Sequence, residues 1–310
     1  MRTVLLGGSG FIGYHIAKNL YQQDEVVVVD IGPRPAHFAF PGLQYVQGNC
    51  ADRSFLRHTI QPDDNILFLA YNSVPKTSFD DPIQDITENL PIAVNLLAVL
   101  KDVPVRRMIY FSSGGTVYGH TKEHAPIGER HATNPISPYG ITKLAIEKYC
   151  KMYSALFHIP IVILRPSNPF GEYQIPFRGQ GFIATAMAKI LKDEEITIFG
   201  NHGTVRDYIY INDLVSATIH LLKTDMEKNV SVFNIGSGTG LTNVDVIRRI
   251  AAVARKKFSA LKILFLPERD FDVPYNVLDA TKLKNTGWEM HTSFDEGVAQ
   301  TWRWICNFMK

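Results

Sequence analysis

LLGGSGFIG, residues 5–13, decides the fold. The apolar run TVLL at 3–6 feeds into it, and a helical pattern near 11–22 leaves it. Gly7, Gly10 and Gly13 are three residues apart, with Phe11 and Ile12 opening the helix between the last two. This GxxGxxG spacing lets a chain turn tightly from strand to helix and brings its backbone close to a pyrophosphate at the positive helix end. The next apolar run, VVVVD at 26–30, ends in Asp30. A carboxylate about 20 residues beyond the glycines accepts hydrogen bonds from an adenosine ribose and repels a 2′-phosphate. The pattern predicts an NAD site rather than an NADP site; the alternative is a plain turn followed by a surface Asp.

Outward from this loop, short β-branched runs alternate with longer helical patterns. LQYVQG (43–48), NILFLA (65–70), RRMIYFSS (106–113), IVILRPS (161–167) and VFNIGSG (232–238) read as strands. Helical patterns cover 85–101 and 138–157. Such alternation predicts an α/β fold, a doubly wound parallel sheet of Rossmann type. Beyond about residue 168 the pattern loosens, with a loop at 170–181, helices over 181–192 and 243–257 and a strand at KILFLP (262–267). The expected organisation is an NAD-binding domain over 1–167 with a returning segment near 205–238. A smaller α/β substrate-binding domain takes 168–204 and 239–310.

The 310 residues are 45% hydrophobic and 20% charged, ordinary for a soluble globular chain with a full core. A net charge of +2 implies neither a nucleic-acid nor a membrane partner. No window of 18 residues is continuously apolar, and the N-terminus runs straight into a strand without the features of a signal peptide. Cys50, Cys150 and Cys306 are far apart and predict reduced thiols in a cytoplasmic protein. His120, His124 and His131 lack ligand spacing, so no metal site is expected.

The chemistry signal is PISPYGITK at 135–143. Tyr139 and Lys143 stand at i and i+4 and share one helix face. A phenol is a poor base at neutral pH, and a neighbouring ammonium lowers its pKa, so this pair can take a proton from an alcohol being oxidised. Tyr14/Lys18 and Tyr118/Lys122 have the same spacing. Only Tyr139 follows both a strand-end hydroxyl cluster, SSGGTVYG at 112–119, and a Pro-Ser-Pro helix entry.

Together GGSGFIG, Asp30, SSGGTVYG, SPYGITK, LRPSNPFG and VRDYIYINDL resemble the extended short-chain dehydrogenases/reductases. The resemblance is to the NAD-dependent epimerase/dehydratase family, nearest its UDP-glucose/UDP-N-acetylglucosamine 4-epimerases. It runs nearly end to end and implies a UDP-sugar substrate and a homodimer built on helices near 85–101 and 138–157. Tyr139 would be the acid/base, and Lys143 would bind the nicotinamide ribose. Asn49 and Cys50 would lie at the adenine, while Phe68, Leu69 and Ala70 would line the cofactor groove near Asn89. Asn168 and Arg206 would meet the diphosphate, Arg269 and Asp272 would grip phosphates and ribose, and Asn276 would flank sugar position 2.

Each of these has a plainer alternative. Arg206 can pair with Asp207, Asn168 can be a turn residue, and Arg269 with Asp272 can be a solvated loop pair. Most relatives carry Ser or Thr at the position of Gly114, so a relocated hydroxyl is expected from Thr116, with Ser113 second; Thr116 can also merely tie down the turn. Gly115 and Thr116 replace the Asp-Glu pair of the 4,6-dehydratases, which disfavours dehydration. A 4-ketoreductase uses the same Tyr and Lys, and a non-catalytic NAD-binding scaffold is the reading from a different class.

Overall fold

The computed structural model describes residues 1–121, 124–226, 228–269 and 272–310, so Lys122, of the third Tyr/Lys spacing, lies outside the described residues. The chain divides into two compact units. The first comprises Met1–Ser113, Ser137–Arg165 and Val215–Phe233, the second Gly114–Ile136, Pro166–Leu214 and Asn234–Lys310.

The first unit is built on a seven-stranded Rossmann-like sheet. From edge to edge the strands are Val230–Ile235, Ile161–Pro166, Arg107–Phe111, Asn65–Phe68, Arg2–Leu6, Glu25–Asp30 and Gln44–Gln47. All five pairings from Ile161–Pro166 to Gln44–Gln47 are parallel. Val26, Val27, Val28 and Val29 are each at most 1% exposed, which explains why this strand reads as an unbroken apolar run rather than an alternation. Chain order reverses between Arg2–Leu6 and Asn65–Phe68, where the Leu69 amide donates to the Leu6 carbonyl at 2.9 Å. Open parallel sheets bind ligands outside the carboxyl ends of strands at such a reversal.

Helix ends differ from the expected ones for local reasons. The helix expected over 85–101 is Pro82–Leu100, because Pro82 takes the first turn and the Asp81 carboxylate caps the Gln84 amide at 2.9 Å. The helix expected over 243–257 stops at Val253, and Arg255 has a left-handed φ of 55°. Helices Arg53–Thr59, Ile211–Lys223 and Phe294–Phe308 were not anticipated; the last opens with a Ser293/Glu296 capping box.

In the second unit, Val205–Tyr210 is flanked by Gly240–Thr242 and Tyr275–Asn276 and also pairs with Asn168–Phe170. Ile196–Phe199 and Ile263–Leu266 form a separate parallel pair. Among the described residues no helix is long and apolar enough to cross a membrane.

Candidate active site

The glycine loop is dictated by contact distances. Gly7 has φ 74°, and a Cβ there would sit 2.4 Å from the Ala70 Cα; a Cβ on Gly13 would sit 2.3 Å from the Gly8 carbonyl oxygen. Gly10 differs, because a Cβ there would meet nothing within 4 Å. Helix Phe11–Leu20 begins at Gly10 with no side chain capping its first amides. That open space and those amides suit a pyrophosphate, which would serve as the helix cap.

Asp30 ends its strand and accepts from the Ser9 amide at 3.0 Å and the Ser9 hydroxyl at 2.6 Å, which ties it to the glycine loop. Asn49 is exposed, and its side-chain oxygen caps the Ala51 amide at 2.9 Å. Cys50 is buried, which, with the charge of Asp30, pushes its thiol up to about 12. The Phe68 ring stacks on Tyr110 in the core, 5.7 Å between centroids, while Leu69 and Ala70 are half-buried beside Gly7. Asn89 is buried and holds the loop after Ala70: it accepts from the Asn72 amide at 2.7 Å and donates to the Asp85 carbonyl at 2.8 Å.

Tyr139 enters helix Pro138–Phe157 behind a Ser137 cap, and its amide donates to the Ser78 hydroxyl at 3.1 Å. Its ring meets Tyr71 edge to face, with centroids 5.0 Å apart. Lys143 Nζ donates to the Phe111 carbonyl at 2.8 Å and lies 5.6 Å from the Tyr139 ring centroid. Burial, then the charge of Asp85, pushes the Tyr139 phenol above the usual tyrosine range. Burial pulls the Lys143 ammonium down to about 7, against the opposing pull of Asp85 and Glu147. The first unit therefore sets a phenol that resists ionisation near a lysine whose charge burial disfavours, with 5.6 Å between the Tyr139 ring centroid and Nζ.

The tyrosines of the other two Tyr/Lys spacings serve packing. Tyr14 is buried edge to face on Phe38, and the buried Tyr118 donates its hydroxyl to Asn234 at 2.7 Å.

Sequence reasoning missed the polar groups beneath the pair. The Asp85 carboxylate is 1% exposed and accepts from the Thr142 hydroxyl at 2.6 Å, the Tyr71 hydroxyl at 3.3 Å and the Ser73 hydroxyl. Glu147 lies two helical turns beyond Tyr139, pairs with Arg165, and accepts from the Ser112 hydroxyl at 2.6 Å. A signal for Glu147 was present, since Tyr139, Lys143 and Glu147 continue one i, i+4 row. Ser113 is half-buried at the end of strand Arg107–Phe111.

In the second unit the glycine turn is clasped from two directions. The Gly114 amide donates to the Pro166 carbonyl at 2.8 Å, and its carbonyl accepts from Asn276 Nδ2 at 3.0 Å. Asn276 is 1% exposed, and among the described residues neither its Oδ1 nor the buried Thr116 Oγ1 has a hydrogen-bond partner. Such orphaned atoms are rare in native interiors.

Asn168 donates to the Asp207 carbonyl at 2.9 Å from its short strand. Arg206 does not pair with Asp207. Asp207 is fully buried and accepts from the Ser237, Gly238 and Leu278 amides, whereas Arg206 donates to the Val273 carbonyl at 2.6 Å. Burial lowers the Arg206 pKa, Asp272 opposes that shift, and the like charge of Arg269 adds to it. Arg269 pairs with Asp272 at 2.8 Å and lies 3.9 Å from the Phe199 ring centroid. Two guanidiniums that feel each other's charge suit an anionic ligand.

Residues 3–236 match the model of the "NAD dependent epimerase/dehydratase family". A UDP-glucose 4-epimerase of Lactobacillus helveticus is 32% identical over 98% of this chain and 97% of its own length. A dTDP-4-dehydro-6-deoxyglucose reductase of Escherichia coli is 30% identical over 96% of this chain and 95% of its own. The crystal structure of the Thermotoga maritima UDP-glucose 4-epimerase with UDP-glucose superposes with a TM-score of 0.92, at 28% identity and full coverage of both chains.

Proposed function

The chain belongs to the NAD dependent epimerase/dehydratase family, and from that premise we propose that it is a UDP-sugar 4-epimerase acting through transient oxidation at sugar carbon 4. The observation that carries this reading is Tyr139 and Lys143 on one helix face of a Rossmann unit, with Lys143 anchored to the Phe111 carbonyl at 2.8 Å. Bound NAD supplies a reversible hydride acceptor, so no net redox change is needed.

Tyr139 takes the proton of the 4-hydroxyl and returns it to the alcohol formed on the opposite face. In its protonated form Lys143 would place a positive charge beside the phenol and oppose the burial and the Asp85 charge that disfavour the phenolate. The glycine loop would hold the pyrophosphate, Asp30 the adenosine ribose, Asn49 and Cys50 the adenine, with Leu69, Ala70 and the Phe68 backbone along the groove. Asn168, Arg206, Arg269 and Asp272 would take the substrate's diphosphate and ribose. Thr116, with its orphaned hydroxyl, would serve the sugar in place of a side chain at Gly114, ahead of Ser113. Asn276 is small enough to leave room for an N-acetyl group at sugar position 2.

The test is interconversion of UDP-glucose with UDP-galactose, and of their N-acetyl forms, by wild type and Tyr139→Phe. Conversion abolished in the variant is expected; undiminished conversion overturns the assignment. The similarity to a 4-keto-sugar reductase favours one second reading, a ketoreductase using the same pair. Stoichiometric NADH consumption with a 4-keto nucleotide sugar, without epimerisation, would establish it.

The proposed assembly is a homodimer. Ile83 and Ile86 on one long helix, and Ile141, Met152 and Leu156 on the other, are 43–69% exposed and form an apolar face that a second copy would cover. Light scattering should give twice the 34.9 kDa chain mass; the monomer mass would refute this.

A further inference from the structure

Lys143 is held in an unusual way for a buried ammonium. Among the described residues, one hydrogen-bond acceptor takes an Nζ proton, the Phe111 carbonyl. The nearest aromatic face is that of Tyr71, whose ring centroid lies 3.9 Å from Nζ, closer than Tyr110 at 5.3 Å or Tyr139 at 5.6 Å. The same Tyr71 ring meets the Tyr139 ring edge to face at 5.0 Å. Its hydroxyl reaches the buried Asp85, which the Thr142 and Ser73 hydroxyls fix in turn. Asn89 secures the same loop through the Asn72 amide.

We propose that Tyr71 is a positioning residue for the acid/base pair: its ring seats the ammonium of Lys143 and backs the ring of Tyr139, and Asp85 locks it in place. The physical logic lies in the kind of contact. A carboxylate against Nζ would take its protons in fixed directions and hold the lysine out of use. An aromatic face attracts the cation through its quadrupole without consuming an N–H. Lys143 thus keeps a partner for its charge while its protons stay available to a hydroxyl of a bound ligand. The other charged or titratable groups facing Lys143 are Asp85, Glu147 with its partner Arg165, Tyr110 and Tyr139. Tyr71→Leu and Tyr71→Phe both remove the hydroxyl that reaches Asp85, so the difference between the two variants reads the aromatic face.

This deepens the acid/base reading of Tyr139 and Lys143, on which it rests, so the decisive measurement does not depend on turnover. Protein carrying ε-13C-lysine, with its NAD, is titrated by NMR, the Lys143 signal being assigned by its loss in Lys143→Met. Tyr71→Leu keeps apolar bulk but removes the aromatic face, and should lower the Lys143 midpoint by about one pH unit. Tyr71→Phe keeps the face and should stay near wild type. A Tyr71→Leu midpoint equal to wild type, or Tyr71→Phe falling as far as Leu, overturns the proposal.

In parallel, kcat/KM for UDP-glucose epimerisation should drop about tenfold in Tyr71→Leu and recover most of that in Tyr71→Phe. If the wild type epimerises nothing, the function reading fails, and the lysine titration still decides the role of Tyr71.

Discussion

Glu147 and Arg165 form a two-pronged ion pair, Nε to Oε1 at 2.8 Å and Nη2 to Oε2 at 2.6 Å, with neither side chain more than 3% exposed. It fastens the helix that carries Tyr139 and Lys143 to the strand Ile161–Pro166, and Ser112 adds a hydroxyl from just past the end of the neighbouring strand Arg107–Phe111. The helix is thus fixed against the sheet by charge as well as by apolar contact.

Removing one partner leaves the other charged and dry, so Arg165→Met should cost about 3–5 kcal/mol in urea unfolding. Adding Glu147→Leu to that variant should recover most of the loss, because neither member of the pair is then left as a charge without the other. A double variant less stable than the single one would show that the pair itself contributes the stability.

Lys143 makes the fold pH-sensitive in a defined direction. An unfolded lysine keeps its proton to about pH 10.4, whereas in the fold burial brings the midpoint to about 7. Between these values the unfolded chain binds more protons, so this group makes stability rise with pH and exacts its full cost below the lower value. Relative to Lys143→Met, wild type should gain up to about 1.4 kcal/mol per pH unit between about pH 7.5 and about pH 9. A flat difference between the two would contradict it.

Two glycines in one loop should fail differently. Gly7→Ala forces a Cβ to 2.4 Å from the Ala70 Cα at a positive φ, so it should lower the melting temperature. Gly10→Ala meets no atom within 4 Å and should leave the melting temperature of NAD-free protein unchanged, while NAD content falls about tenfold or more. Unfolding scans and NAD released on denaturation measure the two effects.

Thr116→Val removes a hydroxyl that has no partner among the described residues, so it should not lower stability. It should reduce epimerisation by about tenfold or more, well below Ser113→Ala. The opposite ranking would move the role to Ser113.

What could be read from the sequence was local. The glycine loop is legible because contact distances at Gly7 and Gly13 dictate glycine within seven residues, with open space at Gly10 between them. Tyr139 and Lys143 are legible because helix period places them together. Arg165, Ser112 and Asp85 were invisible, because each meets its partner across a long stretch of chain. Ser112 lies 35 residues from Glu147 and Asp85 lies 57 from Thr142, and no periodicity links such pairs. The clasp of Asn276 on Gly114 spans 162 residues. By contrast, helix Phe294–Phe308 announces itself in SFDE at 293–296, a capping box that pattern reading could have used.

The anchor of Lys143 is a main-chain oxygen, the carbonyl of Phe111. No substitution of the Phe111 side chain can delete that acceptor, because every amino acid carries it. Its position depends on the pairing of Phe111 with Leu164, one rung of a parallel ladder buried on both faces. The lysine's placement is therefore inherited from the sheet, and drift at position 111 is tolerated for as long as that ladder holds.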